Sequence, residues 1–477
     1  MRAKPLPLLA LFYARAGDSR LAEFEAVAQR LAGPRDMVWT WDHEILATHG
    51  GDIGPRIVQW LPPLLDPLLD PLLNPLRDSY ERWLADAAAG CVGCRGVFEL
   101  WGQGDSIDAC AEVASAVPAQ HIRSRVSGSW RIESLVLGAR RSQHAGSLGA
   151  RMAAFGSVLD ALEVRPVDLE NAKHRIWLVE DRQLLKDSSP LPFPPPRYML
   201  LYEVPARVPA IQSRINALEL RKRAFLSTST LPADRAMLLC NLALAQAPRV
   251  GAATLLDPYC GSGGILLAAA ALGAQTVGSD LDWRLVSEHP WPSRVAATPS
   301  RPARGEERVR MHDNFLEAGL PEPKALLNVD VGAPDAAECW LQANGGEPFD
   351  ALVCDPPYGR REFHGGAEAW AGELSFQVDT ATLYNALRTL IRHAERTLKP
   401  LGRLVFLAPV RSPKDVSKPT LDTFEKMLQV DGAAHGMRLA HLGVEVRHGG
   451  LHRAVVVMER VASSASRFKC ESRESSG

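Results

Sequence analysis

From about residue 210 onward, segments typical of buried strands alternate with segments typical of helices. The strand-like segments read TLLD, AQTVGSD, FDALVCD and RLVFLAPV, and the helix-like ones include GILLAAAALG and a long stretch over residues 381–398. Two parallel neighbouring strands need a crossover connection, which a helix usually supplies. The alternation therefore predicts an α/β domain with a mostly parallel sheet covered by helices.

Near the end of the chain, the segment RLAHLGVEVRHGGLHRAVVVMER reads as two strands around His448, Gly449 and Gly450. We expect these strands to form an antiparallel hairpin. The tail after the second strand carries six serines in 17 residues, a composition that predicts disorder. We assign the sheet-forming domain to residues 208–460 and the disordered tail to residues 461–477.

The first 207 residues mix strand and helix patterns with proline-rich segments. Strand patterns occur at LPLLALFYA, VFEL, WRIESLVL, RIWLV and YMLLYEV, and a helix is predicted around residues 21–31 from its apolar spacing. This mixture predicts a separate α+β region over residues 1–207. The repeat of Pro-Leu-Leu-Asp at residues 61–78 is expected to be a loop insertion, because proline interrupts helices. Residues 288–310 and 321–347 are expected to be surface loops.

Charge and cysteine content exclude several classes of protein. The chain has 477 residues, with 54 basic and 55 acidic side chains and a formal net charge of -1. It is therefore not a uniformly basic nucleic-acid coat, and it has no run of about 18 apolar residues that could span a membrane. Its eight cysteines are scattered, which predicts a reducing compartment, the cytoplasm. Cys91 and Cys94 form only half of a zinc site, so we predict no bound metal.

The N-terminus, MRAKPLPLLALFYARA, has the basic residues and the apolar run of a signal peptide. Pro5 and Pro7 interrupt that run, and we interpret the segment as a first β-strand.

A glycine-rich run, Asp257-Pro-Tyr-Cys-Gly-Ser-Gly-Gly264, lies between a predicted strand and a predicted helix. Glycines at such a turn let a ligand approach the backbone and leave helix N–H groups pointing at it. The acidic residue that opens the run argues against a phosphate, because a carboxylate prefers a cation or a hydroxyl. About 20 residues further on, Asp280 ends the next strand, where a carboxylate is placed to bind ribose hydroxyls.

A second motif is more specific: Asp355, Pro356, Pro357 and Tyr358 follow directly on the predicted strand FDALVC. It resembles the active-site loop of class I S-adenosylmethionine-dependent methyltransferases that modify exocyclic amino groups. An aryl amine is a poor nucleophile because its lone pair is delocalised into the ring. The Asp355 carboxylate and the Pro356 carbonyl can accept its two N–H bonds, while two prolines fix the loop. The Tyr358 ring can stack on the base.

This resemblance implies a Rossmann-like catalytic domain with S-adenosylmethionine as its cofactor. The residues that would hold the cofactor are Asp257, Tyr259, Gly261, Gly263, Asp280 and Asp313. Asp313 precedes Asn314 at the place where an acidic or amide residue of this fold meets the adenine amino group. A turn-forming Asp-Asn pair is the alternative interpretation.

Cys260 and Cys354 flank the two motifs, and carbon methylation of a pyrimidine would need such a thiol as a nucleophile. Side chains alternate along a strand, so Cys354 is expected to point away from Asp355. Cys260 belongs to the glycine-rich loop. We therefore do not favour a covalent mechanism.

Residues 216–241, NALELRKRAFLSTSTLPADRAMLLCN, are similar to the segment before the cofactor loop in the eukaryotic and archaeal tRNA (guanine-10-N2)-methyltransferases. GSDLD resembles the second-strand motif of that family. DPPYGRREF resembles its D-P-P-Y-G-x-R-E loop, with Arg361 and Glu362 matching. FYARAGDSRLAEFEAVAQRL and RGVFELWGQG are similar to its opening strand-helix and a later strand-turn. The resemblance is strong after residue 214 and loose before it. Tyr259, Cys260 and Ser262 stand where the family more often has Phe, Val and Thr.

The family resemblance implies an N-terminal tRNA-binding region containing a THUMP domain. It also implies two partners, tRNA and the small zinc-binding activator subunit of eukaryotic members, and no membrane. The candidate RNA contacts are Arg221, Lys222, Arg223, Arg360 and Arg361. Solvated surface charge is the alternative for such clusters, although Arg360 and Arg361 follow Tyr358, where a nucleic-acid backbone must pass.

Together these observations predict an enzyme that methylates N2 of a guanine in tRNA, at guanosine 10. One alternative is the same chemistry on another RNA guanine, on DNA adenine or on a protein glutamine, although glutamine enzymes usually carry Asn in place of Asp355. Another is a non-catalytic RNA-binding protein that has kept the fold. The intact acids and glycines of both motifs argue against that second alternative.

Overall fold

The computed structural model describes residues 6, 8–12, 19–31, 57–60, 74–137, 147–181, 198–227, 230–247, 250–287, 291–292, 308–357, 380–411, 419–446 and 452–462. The predicted residues Tyr358, Arg360 and Arg361 lie outside this part of the chain, as do nearly all of the predicted loop 288–310 and of the predicted tail.

The chain divides into two compact units. The N-terminal unit comprises Met1–Arg15 and Leu31–Pro209, and the C-terminal unit comprises Ala16–Arg30 and Ala210–Gly477. The assignment of residues 1–207 and 208–460 to two functional domains stays a prediction.

The N-terminal unit is built on a six-stranded mixed sheet. Its strands are β1 (Leu8–Phe12), β2 (Ile57–Trp60), β3 (Cys94–Gly104), β4 (Trp130–Leu137), β5 (His174–Asp181) and β6 (Tyr198–Glu203), in the order β2-β1-β3-β6-β5-β4. Its helices are α2 (Asn74–Gly90), α3 (Ile107–Ser115), α4 (Ala119–Arg125), α5 (Leu148–Met152) and α6 (Gly156–Leu162). Strands β4 and β5 are parallel, and the other pairs are antiparallel.

Apolar side chains of this sheet point to two separate cores. Trp101, Ile176 and Leu200 pack with residues of α3, α4 and α6, whereas Phe98 and Trp177 belong to a second cluster. Period-2 alternation along β3, β5 and β6 produces this division.

The proline-rich repeat differs from the prediction at its end. Residues 74–78 of the predicted loop 61–78 form the first turns of α2. Pro75 lies in the first turn of that helix, where backbone N–H groups have no intrahelical partner and proline is tolerated. Residues 61–73 lie outside the described part of the chain.

The C-terminal unit contains a seven-stranded sheet. Its elements are α1 (Arg20–Arg30), α7 (Ile211–Ala217), α8 (Ala233–Ala243), β7 (Thr254–Asp257), α9 (Gly264–Ala271), β8 (Gln275–Asp280), α10 (Trp283–Val286), β9 (Trp291–Pro292), β10 (Arg308–Val309), α11 (Met311–Glu317), β11 (Ala325–Asn328), α12 (Ala336–Ala343), β12 (Phe349–Cys354), α13 (Thr380–Thr397), β13 (Leu398–Val410), α14 (Leu421–Ala434), β14 (Met437–Val446) and β15 (His452–Arg460). Within the described residues, strands β9 and β10 form a separate two-stranded sheet.

The strand order of the large sheet is β11-β8-β7-β12-β13-β15-β14. The first five strands are parallel, and β15 runs antiparallel to both β13 and β14. This confirms the predicted α/β class, the Rossmann-like sheet and its C-terminal antiparallel hairpin. Strands β7 and β12 are almost completely buried, as expected for parallel strands covered on both faces.

The prediction of a surface loop over residues 321–347 is wrong. The segment contains β11, which is an edge strand of the large sheet, and α12, whose Trp340 side chain is 0% exposed. Both elements are short and are flanked by glycine and proline, so their periodicity covers too few residues to be recognised.

Helix α1 lies in the C-terminal unit, although the sequence prediction placed it in the N-terminal region. Its apolar face, including the fully buried Phe24, packs against α8 and the turn that follows it. Helices in the described part of the chain are all too short or too polar to cross a membrane.

Candidate functional site

Three carboxylates lie at one edge of the large sheet. Asp257 ends β7, Asp280 ends β8 and Asp355 follows β12, and β7 pairs in parallel with both of the other strands. The carboxyl ends of parallel strands meet at one edge, which is where ligands bind in open α/β sheets. The three acids predicted from two separate motifs are therefore brought together.

Asp257 is almost completely buried, with 1% exposure. Burial raises the pKa of Asp257 well above its ordinary value, and the negative charges of Asp280 and Asp355 act in the same direction. The backbone N–H of Tyr259 donates a hydrogen bond to Asp257 Oδ1 at 3.1 Å, which favours the ionised form. A cationic ligand group at this place would stabilise the ionised carboxylate further.

The glycine-rich loop has the backbone conformation that the sequence predicts. Gly261 and Gly263 have φ values of 53° and 80°, which non-glycine residues rarely adopt. A Cβ atom on Gly263 would lie 2.8 Å from Met311 Sδ. Among the described residues, one on Gly261 would meet Ser227 Oγ alone, at 3.8 Å. The loop is thus closely packed at Gly263 and open to a ligand at Gly261.

Asp280 connects the end of β8 to this loop. Its Oδ2 accepts a hydrogen bond from the Gly261 N–H at 2.9 Å, and its Oδ1 accepts one from the Asp282 N–H at 2.9 Å. Burial raises the pKa of Asp280, while these backbone hydrogen bonds lower it. Each carboxylate oxygen has a second lone pair, which is the acceptor that a ribose hydroxyl requires.

Asp355 is half-buried and lies close to a cation from another strand. Its Oδ2 is 3.4 Å from Arg453 Nη1, on β15. Pro356 is buried and Pro357 is half-buried, whereas Cys354 in front of them is 0% exposed and belongs to the core. Side-chain alternation therefore places Asp355 at the edge and Cys354 in the interior, as predicted.

The two cysteines near the site are unsuited to nucleophilic attack. Cys260 is 4% exposed and Cys354 is 0% exposed. Burial raises the pKa of both thiols well above the ordinary cysteine value. Since the thiolate is the reactive form, neither residue is a nucleophile in this structure.

Tyr259 and Asp313 are placed differently from the simplest expectation. The Tyr259 ring is partly buried and packs on the core of the large sheet. Asp313 Oδ2 accepts a hydrogen bond from the Arg310 N–H at 2.8 Å and caps the first turn of α11. One carboxylate oxygen of Asp313 thus caps α11, and the role of Asp313 at the adenine stays a prediction.

Asn314 of α11 is hydrogen-bonded to the segment 216–241. It is 3% exposed; its Oδ1 accepts from the Phe225 N–H at 2.8 Å, and its Nδ2 donates to the Phe225 carbonyl at 2.8 Å. In addition, Thr230 Oγ1 lies 2.8 Å from Ser262 Oγ. The family-like segment 216–241 thus contacts the glycine-rich loop, and the sequence signal for this was the polar Ser-Thr run itself.

Trp340 is linked to the glycine-rich loop through Ser279. Its Nε1–H donates to Ser279 Oγ at 2.9 Å, and Ser279 Oγ donates to the Pro258 carbonyl at 3.3 Å. Both Trp340 and Ser279 are 0% exposed. This support was missed because the segment containing Trp340 was predicted to be a loop.

The basic cluster before the site is only partly exposed. Arg221 pairs with Glu219, and Lys222 is exposed. Arg223, in contrast, is 3% exposed, and its Nε donates to the Leu218 carbonyl at 3.1 Å. Burial lowers the pKa of Arg223 to about 10. A guanidinium in this position is not presented to phosphates at the surface, so we remove it from the RNA contacts predicted above.

No family model matches the chain, but curated proteins of one kind do. The tRNA (guanine(10)-N(2))-methyltransferase of Homo sapiens is 27% identical over 275 residues, which cover 54% of this chain and 55% of that protein. The mouse (Mus musculus) enzyme is 26% identical over 341 residues, 68% of this chain and 67% of its own. The enzyme of Schizosaccharomyces pombe is 22% identical over 282 residues, 59% and 50% respectively. The chain is related to these methyltransferases.

The resemblance predicted from the two motifs is thereby confirmed. The chain spans about half the length of the first of these curated relatives. Among solved structures, TrmN from Thermus thermophilus matches 95% of this chain and 100% of its own, with 18% sequence identity and a TM-score of 0.39.

Proposed function

We propose that this chain is an S-adenosylmethionine-dependent methyltransferase that methylates the exocyclic N2 of a guanine in tRNA, at position 10. The observation that carries the proposal is the position of Asp355, followed by two prolines, at the same sheet edge as Asp280 and the glycine-rich loop. The names of the related enzymes support the choice of substrate and position.

The residues at the sheet edge fit the cofactor. Gly261 leaves the loop surface open, and Asp280 offers acceptor lone pairs for ribose hydroxyls. Asp257 is a buried carboxyl beside which a cationic group is favourable, and the cofactor carries an ammonium. We propose that these residues, with Gly263, Tyr259 through its backbone, and Asp313, hold S-adenosylmethionine. When bound, the cofactor supplies an electrophilic methyl group.

Residues of this chain then orient the guanine. The Asp355 carboxylate and the Pro356 carbonyl accept the two N–H bonds of the amine, which directs its lone pair away from the loop. Pro356 and Pro357 hold this geometry before the substrate arrives, so less ordering is needed in the transition state. Tyr358 stacks on the base. Asp355 need not be a strong base, because the amine can lose its proton after the transfer.

We further propose that the N-terminal unit, with a THUMP-like domain, holds the tRNA. Arg221, Lys222, Arg360 and Arg361 are the proposed backbone contacts near the site. A small zinc-binding activator subunit is the proposed protein partner, and the cytoplasm is the proposed compartment.

The test is transfer of labelled methyl groups from S-adenosylmethionine to unmodified tRNA transcripts, with and without the activator subunit. We expect signal on wild-type tRNA and none on tRNA in which guanine 10 is replaced by adenine. Asp355→Ala should abolish transfer while cofactor affinity, measured by calorimetry, is unchanged. The exposed Asp422 provides the control variant Asp422→Ala, which should transfer normally. Methyl transfer to the tRNA that lacks guanine 10 would contradict the assigned position. Cofactor binding without methyl transfer to any tRNA would overturn the assignment of tRNA as the substrate.

A further inference from the structure

We infer that Arg453 is a positioning residue that holds Asp355 in the orientation required for methyl transfer. The inference rests on the proposed function, because it assigns the orientation of the carboxylate that accepts the amine. Arg453 is 98 positions from Asp355 in the sequence and belongs to neither motif.

The topology of the sheet places Arg453 at the site. β15 runs antiparallel to its neighbours, so it begins at the edge where β12 and β13 end. Arg453 lies near the beginning of β15, opposite Pro409 of β13. Its Nη1 is 3.4 Å from Asp355 Oδ2, and the two side chains are 19% and 25% exposed. Both side chains are partly buried, so salt screens this ion pair less than it screens a fully exposed pair.

A second acid lies next to Arg453 on the neighbouring strand. Glu445 of β14 is its directly opposite cross-strand partner, and such partners project from the same face of the sheet. Glu445 is itself buried and pairs with Arg235 of α8. Charges therefore alternate along the row Asp355, Arg453, Glu445 and Arg235. An acid at the opposite cross-strand position favours the charged guanidinium of Arg453.

The ion pair has a direct consequence for the geometry of Asp355. Since Arg453 contacts Oδ2, the ion pair fixes the direction in which the Asp355 carboxylate is presented to the amine. The guanidinium also offsets the repulsion between Asp355 and the neighbouring carboxylate of Asp257. Arg453 acts on the reaction through Asp355 and does not itself contact the amine.

The decisive comparison is between Arg453→Met, Arg453→Lys and a substitution of a control arginine in the β14–β15 hairpin. Arg438 is suitable as the control, because it is 61% exposed and pairs with Glu459. For Arg453→Met we expect kcat to fall about 10- to 100-fold, as for loss of groups that orient an active-site residue. The dissociation constant for S-adenosylmethionine and the KM for tRNA should change less than about twofold. Arg453→Lys should recover most of the loss, and Arg438→Met should match the wild type.

Chemical rescue separates orientation from folding. In Arg453→Ala, added guanidinium ion at millimolar concentration should restore part of kcat, whereas it should not raise the activity of Arg438→Ala. Thermal unfolding of each variant checks the fold, and Arg453→Lys tests the inference if the shorter side chains do not fold. An active wild type with Arg453→Met equal to Arg438→Met would overturn the positioning role alone. An inactive wild type on every tRNA would overturn the proposed function and this inference with it.

Discussion

Glu23 and Asn241 are 218 positions apart in the sequence and are joined by a hydrogen bond of 2.8 Å, from Asn241 Nδ2 to Glu23 Oε1. Asn241 is fully buried, and its Oδ1 also accepts a hydrogen bond from Arg30 Nη2 at 3.0 Å. Glu23 and Arg30 belong to α1, whereas Asn241 belongs to α8. A single amide of α8 therefore binds two residues of α1 within the C-terminal unit.

The first prediction concerns this amide. Asn241→Ala removes a donor to the buried Glu23 and an acceptor for the half-buried Arg30. We expect the full-length chain to lose about 2 to 3 kcal/mol of unfolding free energy. Urea unfolding is the measurement. The control is Gln246→Ala, since the exposed Gln246 contacts Gln29 of α1 at 3.5 Å; we expect a change within about 0.5 kcal/mol. Equal effects of the two substitutions would contradict the role of Asn241.

Asp257→Asn should have opposite effects on stability and on cofactor affinity. Burial raises the pKa of Asp257 in the folded state well above 3.8, so the folded chain binds the proton more tightly than the unfolded chain. The stabilisation is complete below the unfolded pKa and is lost as the pH rises towards the folded pKa. At pH 8 the neutral variant should therefore be more stable than the wild type by about 1 kcal/mol or more.

The same variant should bind S-adenosylmethionine at least tenfold more weakly, because it lacks the carboxylate. Thermal unfolding at pH 5 and pH 8, with a cofactor titration at each pH, checks both effects. Asp422→Asn is the control at an exposed site. A variant less stable than the wild type at pH 8 would show that burial does not dominate at Asp257.

Gly263→Ala should lower both the stability of the protein and its affinity for the cofactor. The φ of 80° costs a non-glycine residue about 1 to 2 kcal/mol. The added Cβ would also lie 2.8 Å from the buried Met311 Sδ. Gly319 is the matched control, because its φ is 64° and no atom of the described part of the chain lies within 4 Å of its Cβ position. Unfolding and cofactor titration should show a backbone penalty alone for Gly319→Ala. For Gly263→Ala we expect a larger loss of stability and of affinity, and identical losses would rule out the contact with Met311.

The N-terminal unit should show an acid transition of its own. Glu99 is 0% exposed. Burial alone would raise its pKa, but the hydrogen bond to His121 and the charge of Arg125 lower the pKa of Glu99 to about 2, from an ordinary value of 4.5. Its contribution is complete above the unfolded pKa and is lost as the pH falls from about 4.5 towards 2.

Glu99→Gln should therefore cost about 3 kcal/mol at pH 7, because it leaves Arg125 with one buried partner fewer. The difference from the wild type should shrink as the pH approaches 2. Denaturant unfolding across this range, followed by the fluorescence of the buried tryptophans, is the measurement. The exposed Glu112 provides the control Glu112→Gln. A difference that stays constant from pH 7 to pH 2 would show that Glu99 does not titrate as proposed.

Two kinds of feature could not be predicted from the sequence: short secondary-structure elements and the burial of individual side chains. Helix α12 has only eight residues, so its 3.6-residue period is not distinguishable from a polar loop. Arg223 stands in a basic run with Arg221 and Lys222, yet it is buried while the other two are exposed. Local composition does not determine burial, because burial depends on which other elements pack over the residue.

The sequence by itself determined the parallel sheet and the positions of Asp257, Asp280 and Asp355 at its edge. Each acid comes at the end of a strand that is recognisable from local patterns, and parallel strands necessarily bring their carboxyl ends together. Only the tertiary structure decided that Arg453 meets Asp355 and that Asn241 holds α1. These pairs depend on strand register and helix packing, which arise from contacts between distant segments and leave no local periodicity in the sequence.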